Sequence, residues 1–407
     1  MLNPFIRQPV PKFAALFEDL QQEARAYPDL DEDQEAAVLV RHTGPVWVQA
    51  GAGSGKSRVM AYRAAHLVKT GTAPDNIVLV TFTRKAAEEL SGRLQSRGMR
   101  QPPLCTTVHA LAWKMHRLEL ASEEVLLDIC TQLASPMGPH ETLLQVQRVR
   151  ESGPGTHPHG ELAKAYAEAL HKQGLYDFSD LLMLRPTRKF QHVLVDEAQD
   201  LTALQLQFLL NCLKPGGCLY LVGDERQRIY SFRGSDAALA ELPRLRSLEL
   251  PRNYRNATRV VDGANRLFPP GAFAPPRYMR QEAGELQLRV FVDEAAEHEW
   301  VSRWAAGSPP GSRMVLGRTQ DSVGGLKAAN LPAMTIHEAK GLEWDEVLVL
   351  GCEEGLLPHG AGDVDEELRI LYVAMTRGRN AAVLTRCLQR NTKARRASRF
   401  LYILGLS

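Results

Sequence analysis

Residues 50–57 read Ala-Gly-Ala-Gly-Ser-Gly-Lys-Ser and follow directly on the apolar run Val46-Trp47-Val48. A strand that enters a glycine-rich turn and leaves as a helix is a phosphate-binding loop, and no other segment restricts the fold as much. Its glycines let backbone N–H groups close around a phosphate chain, and the helix N-terminus adds a favourable dipole. Gly51, Ala52, Gly53, Ser54 and Gly55 form the cradle. Lys56 can reach the terminal phosphates of a nucleoside triphosphate, and the Ser57 hydroxyl can sit on Mg²⁺. The strict pattern opens on glycine, where this chain has Ala50.

Such a loop belongs to a parallel α/β sheet, and the chain supplies the strands. Ile77-Val78-Leu79-Val80, Val193-Leu194-Val195 and Cys218 to Val222 are short apolar runs set between helical patterns, which predicts buried parallel strands. From about His109 to Arg188 helical patterns broken by Gly and Pro take over. After the Pro/Gly-rich stretch Phe268 to Pro276 a second strand set follows, at 286–292, 314–316, 334–336, 347–350 and 382–384. The chain therefore reads as α/β with two sheet domains. The first comprises 1–108 and 189–250 and is interrupted by a helical insertion at 109–188; the second is 251–407. Phe13, Leu16, Phe17 and Leu20 share one helical face, which predicts a packing helix. The basic run Arg386, Arg390, Lys393, Arg395, Arg396 and Arg399 reads as the solvated face of a terminal helix.

The second chemical element is Leu194-Val195-Asp196-Glu197-Ala198-Gln199-Asp200, an apolar strand ending in adjacent carboxylates. Asp196 suits the Mg²⁺ shell and Glu197 suits the base that orients an attacking water. A water-activating glutamate points to triphosphate hydrolysis and away from a kinase. The formal net charge of +2 leaves any polyanion site to a local patch. Six scattered cysteines without a Cys-x-x-Cys pair argue against a zinc module or a disulfide framework. No apolar stretch approaches the ~20 residues of a membrane span, and the N-terminal segment lacks the build of a signal peptide. These features predict a cytoplasmic protein that does not act at a membrane.

Beyond these elements the order of short motifs resembles superfamily 1 helicases of the UvrD, PcrA and Rep type. The resemblance rests on Asp31-Glu32-Asp33-Gln34, Thr81 to Ala87, Thr106-Thr107-Val108-His109, Tyr176 to Leu182, Gly223 to Gly234, Asn253-Tyr254-Arg255, Thr335 to Trp344 and Leu371 to Arg377. It spans nearly the whole chain from about residue 30. It implies two tandem RecA-like motor domains with parallel sheets and a small helical insertion in the first, ATP and Mg²⁺ as cofactors, and single-stranded DNA, in a tailed or forked duplex, as partner.

Carried over residue by residue, the resemblance implies that Gln34 and Arg58 contact adenine, that Tyr254 stacks on it, and that Glu343 holds the ribose. Gln227 would sense the γ-phosphate, and Arg255 and Arg377 would be arginine fingers supplied by the second domain. Phe82, Tyr230 and Phe232 are candidates for stacking on bases, with core packing as the alternative. Arg84, His109, Arg233, His337 and Lys340 complete the expected nucleic-acid face. The motif form implies 3′→5′ movement. Two alternatives stay open: a translocase that strips proteins from single strands without unwinding, and a nucleotide-switched DNA-binding subunit of a larger complex. The chain departs from the family pattern at Glu225, Arg226 and Arg228, where Asp, Asp and Ser are usual. Only some fifteen residues, Gly317 to Pro332, stand where the family usually inserts an accessory domain, for which even a small domain needs ~50. The expectation is a minimal motor that needs a protein partner or a second copy to unwind duplex DNA.

Overall fold

A computed structural model of the chain describes residues 27–133, 135–152, 157–230, 239, 242–309 and 311–406. The helix expected around Phe13 to Leu20 and the candidates Phe232 and Arg233 lie outside the described residues. Six strands, β1 (Pro45–Ala50), β2 (Ile77–Thr81), β3 (Leu104–Thr107), β4 (Phe190–Val195), β5 (Leu213–Gly223) and β6 (Arg246–Leu250), form one sheet in the order β3-β2-β4-β5-β1-β6. Every pairing in it is parallel. After β6 the chain makes a short parallel pair, β7 (Arg252–Asn253) with β8 (Arg277–Tyr278). It then builds a second parallel sheet from β9 (Glu285–Phe291), β10 (Arg313–Gly317), β11 (Ala333–Thr335), β12 (Trp344–Val349) and β13 (Gly378–Cys387), in the order β11-β10-β12-β13-β9. A small hairpin, β14 (Gln389–Arg390) and β15 (Lys393–Ala394), and the helix Arg399–Leu404 follow.

The central strands are apolar on both faces because both faces are covered, the usual condition of a parallel sheet. Val46, Val48, Leu79 and Leu194 pack into a core with the helices Glu32–Leu39 and Lys56–Lys69. Trp47, Val78, Val193 and Leu219 pack into the opposite one. The insertion holds helices Val108–His116, Glu123–Gln132, Pro139–Glu151, Gly160–Lys172 and Phe178–Met183, with a core of its own around Ile129, Val146, Tyr166 and Leu170. A further cluster joins the two sheets, since Ala52, Ile229 and Tyr230 pack with Ile336, Trp344, Leu371 and Tyr372. The parallel arrangement puts the phosphate loop, Phe82, His109, Asp196-Glu197 and Asp224 all just beyond the carboxyl ends of β1 to β5, where open α/β sheets bind ligands.

Two strands of the first sheet were not legible as such. β3 has only four residues, and β6 lies at the sheet edge with an alternating buried and open pattern. The expected basic helix at 386–399 is also corrected: Arg386 lies in β13, Arg390 in β14 and Lys393 in β15, and the helix begins only at Arg399. Arg390 explains the difference. Its guanidinium donates to Glu353 (Nε to Oε2 3.0 Å, Nη2 to Oε1 2.9 Å), to Glu297 (2.8 Å) and to Glu294 (3.2 Å). Glu297 and Glu353 are fully buried, so this charge cluster pulls the segment back onto the sheet instead of leaving it as a solvated helix face. Between β10 and β11 stands a single helix, Gln320–Ala328, capped by Thr319 and Ser322.

Among the described residues no helix is long and apolar enough to cross a membrane, and all six cysteines are free. The charge cluster yields a prediction. Glu353 also accepts the Cys387 backbone N–H at 2.7 Å, so Glu353→Ala strands buried donors. It should lower unfolding stability by about 3 kcal/mol, read as the midpoint shift in denaturant, with Glu353→Gln less damaging.

Candidate nucleotide site and aromatic cavity

The phosphate loop folds as its residues require. Gly53 and Gly55 take φ of 71° and 86°, open to glycine at no steric cost, and the helix Lys56–Lys69 starts from Gly55 with its first N–H groups free of any side-chain cap. Bare N–H groups at a helix start are a ready anion site. Lys56 lies across the loop, its Nζ 3.3 Å from the Ala50 carbonyl and 4.0 Å from Glu197. The Ser57 hydroxyl is 3.5 Å from Asp196. Burial, with Glu197 alongside, pushes the Asp196 carboxyl up to about 6. Burial acts on Glu197 in the same sense, but Lys56 and Lys340 outweigh it and hold that carboxylate low. The two adjacent carboxylates are thus split in acidity, Asp196 raised and Glu197 lowered. Glu197 also has φ of 50°, an unusual backbone state for a non-glycine residue that is found at functional sites. Among the described residues no three His, Cys, Asp or Glu side chains gather as a metal site. Ser57 and Asp196 are the oxygen ligands that fit Mg²⁺, which commonly takes one or two carboxylates plus substrate phosphates.

The second sheet completes this pocket. Asn253 Nδ2 donates to the Ala52 carbonyl at 2.7 Å and the Tyr254 N–H to that of Gly53 at 2.9 Å. The Arg255 backbone comes so near that a Cβ on Gly53 would stand 2.6 Å from the Arg255 Cβ. The Arg255 side chain forms a close ion pair with Glu343, which also pairs with Arg379. Arg377 is buried and donates to Gln227 Oε1 at 3.1 Å and to the Val373 carbonyl at 3.1 Å. Burial, then the neighbouring Arg255, lowers its pKa to about 10, so it stays charged at neutral pH. Lys56, Arg255 and Arg377 all interact electrostatically with Glu197, so three cations gather around one carboxylate.

Gln34 caps its own helix with Asp31 and donates to the Ser54 carbonyl at 3.0 Å. Arg58 is held over the same side by the Asp29 carbonyl at 2.5 Å. Tyr254 is 39% exposed, tethered through its hydroxyl to Asp31 at 2.5 Å. All three stand beside the loop, with the exposed ring of Tyr254 among them.

A separate cavity of about 410 Å³ opens between the first sheet and the insertion, walled by Phe82, His109, Phe178, Arg148, Asp200 and Tyr230 among others. Phe82 stacks on Tyr230 at 5.1 Å and 17°, and Phe178 tilts against His109 at 4.9 Å. Phe178 was not among the sequence candidates, although it lies inside the quoted motif Tyr176 to Leu182; its 48% exposure is the signal that only coordinates give. The capping box of Asp177 with Asp180 holds it there, and Arg150 pairs with both carboxylates from below. Arg84 is exposed at the start of the helix Arg84–Ser96.

Two expected phosphate-holding residues sit differently. Lys340 is buried in a close ion pair with Asp200 and donates to the Gln227 carbonyl at 2.7 Å. Its charge is committed to the join between the sheets. His337 packs against Tyr230, and burial together with Arg318 pushes its pKa down to about 4. It is neutral at physiological pH and can offer a hydrogen bond but no positive charge.

Comparison with known proteins bears on the whole arrangement. Residues 30–130 and 119–242 match the model of the UvrD/REP helicase N-terminal domain, and residues 313–389 that of the UvrD-like helicase C-terminal domain. DNA helicase II of Escherichia coli is 29% identical over 58% of this chain and 40% of its own length. ATP-dependent DNA helicase Rep of the same organism is 29% identical over 65% of this chain and 47% of its own. The chain thus spans less than half the length of either. ATP-dependent DNA helicase UvrD2 of Mycobacterium tuberculosis is 25% identical over 91% of this chain and 81% of its own. That alignment runs over 570 residues against a chain of 407, so the relative carries insertions absent here.

The Lys340–Asp200 pair gives a second prediction. Burial, relieved by Lys340, leaves the Asp200 carboxyl at about 6. Lys340→Ala strands that carboxylate, so stability at pH 8 should fall by about 3 kcal/mol. The deficit should shrink towards pH 6, because Asp200 then takes up a proton in the folded variant. Denaturant unfolding of both proteins at the two pH values measures it.

Proposed function

Because the chain belongs to the UvrD/REP helicase family, we propose that it is an ATP-driven motor that moves 3′→5′ along single-stranded DNA. The observation that carries this reading is the composite pocket: Lys56, Ser57, Asp196 and Glu197 from one lobe meet Arg255 and Arg377 from the other. ATP with Mg²⁺ on Ser57 and Asp196 is the substrate this pocket fits. Lys56 neutralises the terminal phosphates, Glu197 orients the attacking water, and the two guanidinium groups stabilise the charge that develops on the γ-phosphoryl oxygens. Gln34, Arg58 and Tyr254 take the adenine ring. Glu343 takes the ribose, and to do so it must share or release Arg255. Arginines supplied across a cleft make hydrolysis depend on closure, which is how chemistry becomes relative motion of the lobes.

DNA takes the aromatic cavity. Phe82, Tyr230 and Phe178 offer π-faces to bases without reading their identity, at ~1–3 kcal/mol per stacked base. Asp196, Glu197 and Asp200 share a wall with these rings, so strand position and nucleotide state are felt by one set of loops. The short Gln320–Ala328 connection supports the minimal-motor reading, in which a protein partner or a second copy assists duplex opening. The free cysteines fit a cytoplasmic setting.

ATP hydrolysis measured with and without single-stranded DNA tests the proposal. Wild type should be stimulated by the strand, and Lys56→Ala should lose at least ~10²-fold of the stimulated rate. A rate indifferent to DNA removes the motor reading and favours a nucleotide-switched subunit.

A further inference from the structure

Beside the phosphate loop lies a small cavity of about 30 Å³, walled by Gly51, Arg226, Glu249, Asn265, Phe273 and Tyr372 among others. Arg226 fills its floor and is buried. Its Nε donates to Asp224 Oδ1 at 2.9 Å and its Nη1 to Asn265 Oδ1 at 3.0 Å. The guanidinium carbon lies 4.9 Å from the centroid of the Phe273 ring and 5.4 Å from that of Tyr372. A Cβ on Gly51 would stand 2.5 Å from Nη2, so the group is seated against the phosphate-loop backbone itself. Asp224 and Gly51 belong to the first lobe, whereas Asn265, Phe273 and Tyr372 belong to the second. A planar, always-charged guanidinium that forks to two acceptors and lies between ring faces is held in one orientation, which an ammonium could not match.

The contacts continue past Asp224. Its second oxygen, Oδ2, accepts from Gln227 Nε2 at 2.9 Å and from the Tyr372 hydroxyl at 3.4 Å. With Nε2 so committed, the Gln227 amide turns its Oε1 to Arg377, which donates to it at 3.1 Å. The Asp224 N–H in turn donates to Gln199 Oε1 at 3.0 Å, and Gln199 Nε2 to Glu197 at 2.6 Å. Asp224 is fully buried; burial opposes its ionisation, but Arg226 and Lys56 outweigh it and keep the carboxylate charged. Were Asp224 to take a proton, it could donate to Gln227, and the amide could then turn its NH₂ towards Arg377, donor against donor.

We infer that Arg226 is a positioning residue: it clamps the second lobe against the back of the phosphate loop and, through Asp224, sets the Gln227 amide that receives Arg377. The hydrolytic part of this inference rests on the proposed function, and the clamp does not. The clamp is made of protein contacts alone, so it draws the lobes together without help from a triphosphate. In hydrolysis it acts on the transition-state groups more than on ground-state binding.

The test uses a donor–acceptor pair of fluorophores at the exposed positions Glu89 and Val292 on the full chain, with Arg226→Ala and Arg226→Lys. Without nucleotide, Arg226→Ala should broaden and lower the transfer efficiency, and Arg226→Lys should fall between it and wild type. With ATP and single-stranded DNA, Arg226→Ala should lose about tenfold in kcat with KM changed less than about threefold, and Arg226→Lys should recover part of that loss. Unchanged transfer efficiency in Arg226→Ala overturns the clamp. A kcat equal to wild type, or a lysine variant no better than alanine, overturns the positioning role. If wild type shows no DNA-stimulated hydrolysis, the proposed function fails and the label distance alone decides the clamp. Should Arg226→Ala not fold, Phe273→Leu removes one face of the seat and carries the same expectations at smaller amplitude.

Discussion

One short segment, Asn253-Tyr254-Arg255, ties the second lobe to the first by hydrogen-bonding its phosphate loop. The bonds to the Ala52 and Gly53 carbonyls tie second-lobe backbone and side chain to the phosphate-loop turn. Buried carbonyls left unpaired would cost about 1–3 kcal/mol each, so the contact is both a joint and a condition for the loop's shape. Everything that distinguishes this pocket from an ordinary glycine turn follows from that approach: Arg255 lies within reach, Arg377 meets Gln227, and Tyr254 stands over the Asp31 helix start.

The join is unusually rich in buried charge. Lys340 with Asp200, Arg226 with Asp224 and Arg377 beside Gln227 all lie between the two sheets. Ion pairs of this kind add little net stability, since desolvation offsets most of the attraction. What they provide is direction. An apolar join would be content with many sliding registers, whereas a guanidinium seated between two rings and two acceptors accepts one. The apolar cluster around Ile229, Ile336 and Trp344 supplies the cohesion, and the charges select the register.

Much of this was legible in the sequence because it is local. The apolar run before the phosphate loop, the strand ending in Asp196-Glu197 and the glycines with positive φ each declare themselves within about ten residues. β3 and β6 did not, since a four-residue strand and an alternating edge strand carry too weak a pattern. The larger gap lies in pairings across the chain. Lys340 and Asp200 are 140 residues apart, and nothing in either neighbourhood says that the lysine is buried and already paired. Arg390 reads as a solvated charge until Glu294, Glu297 and Glu353 arrive from other elements. Phe178 shows no role of its own within its motif until its exposure is known.

The parallel contact of Phe82 with Tyr230 has a bearing on how smoothly a strand could advance. Ring on ring is chemically much like ring on base, so a nucleobase that slips in replaces one flat partner by another at small net change. On the proposed reading, a surface that trades equivalent partners presents a nearly level landscape to a chain of bases, and directional bias would come from the triphosphate cycle.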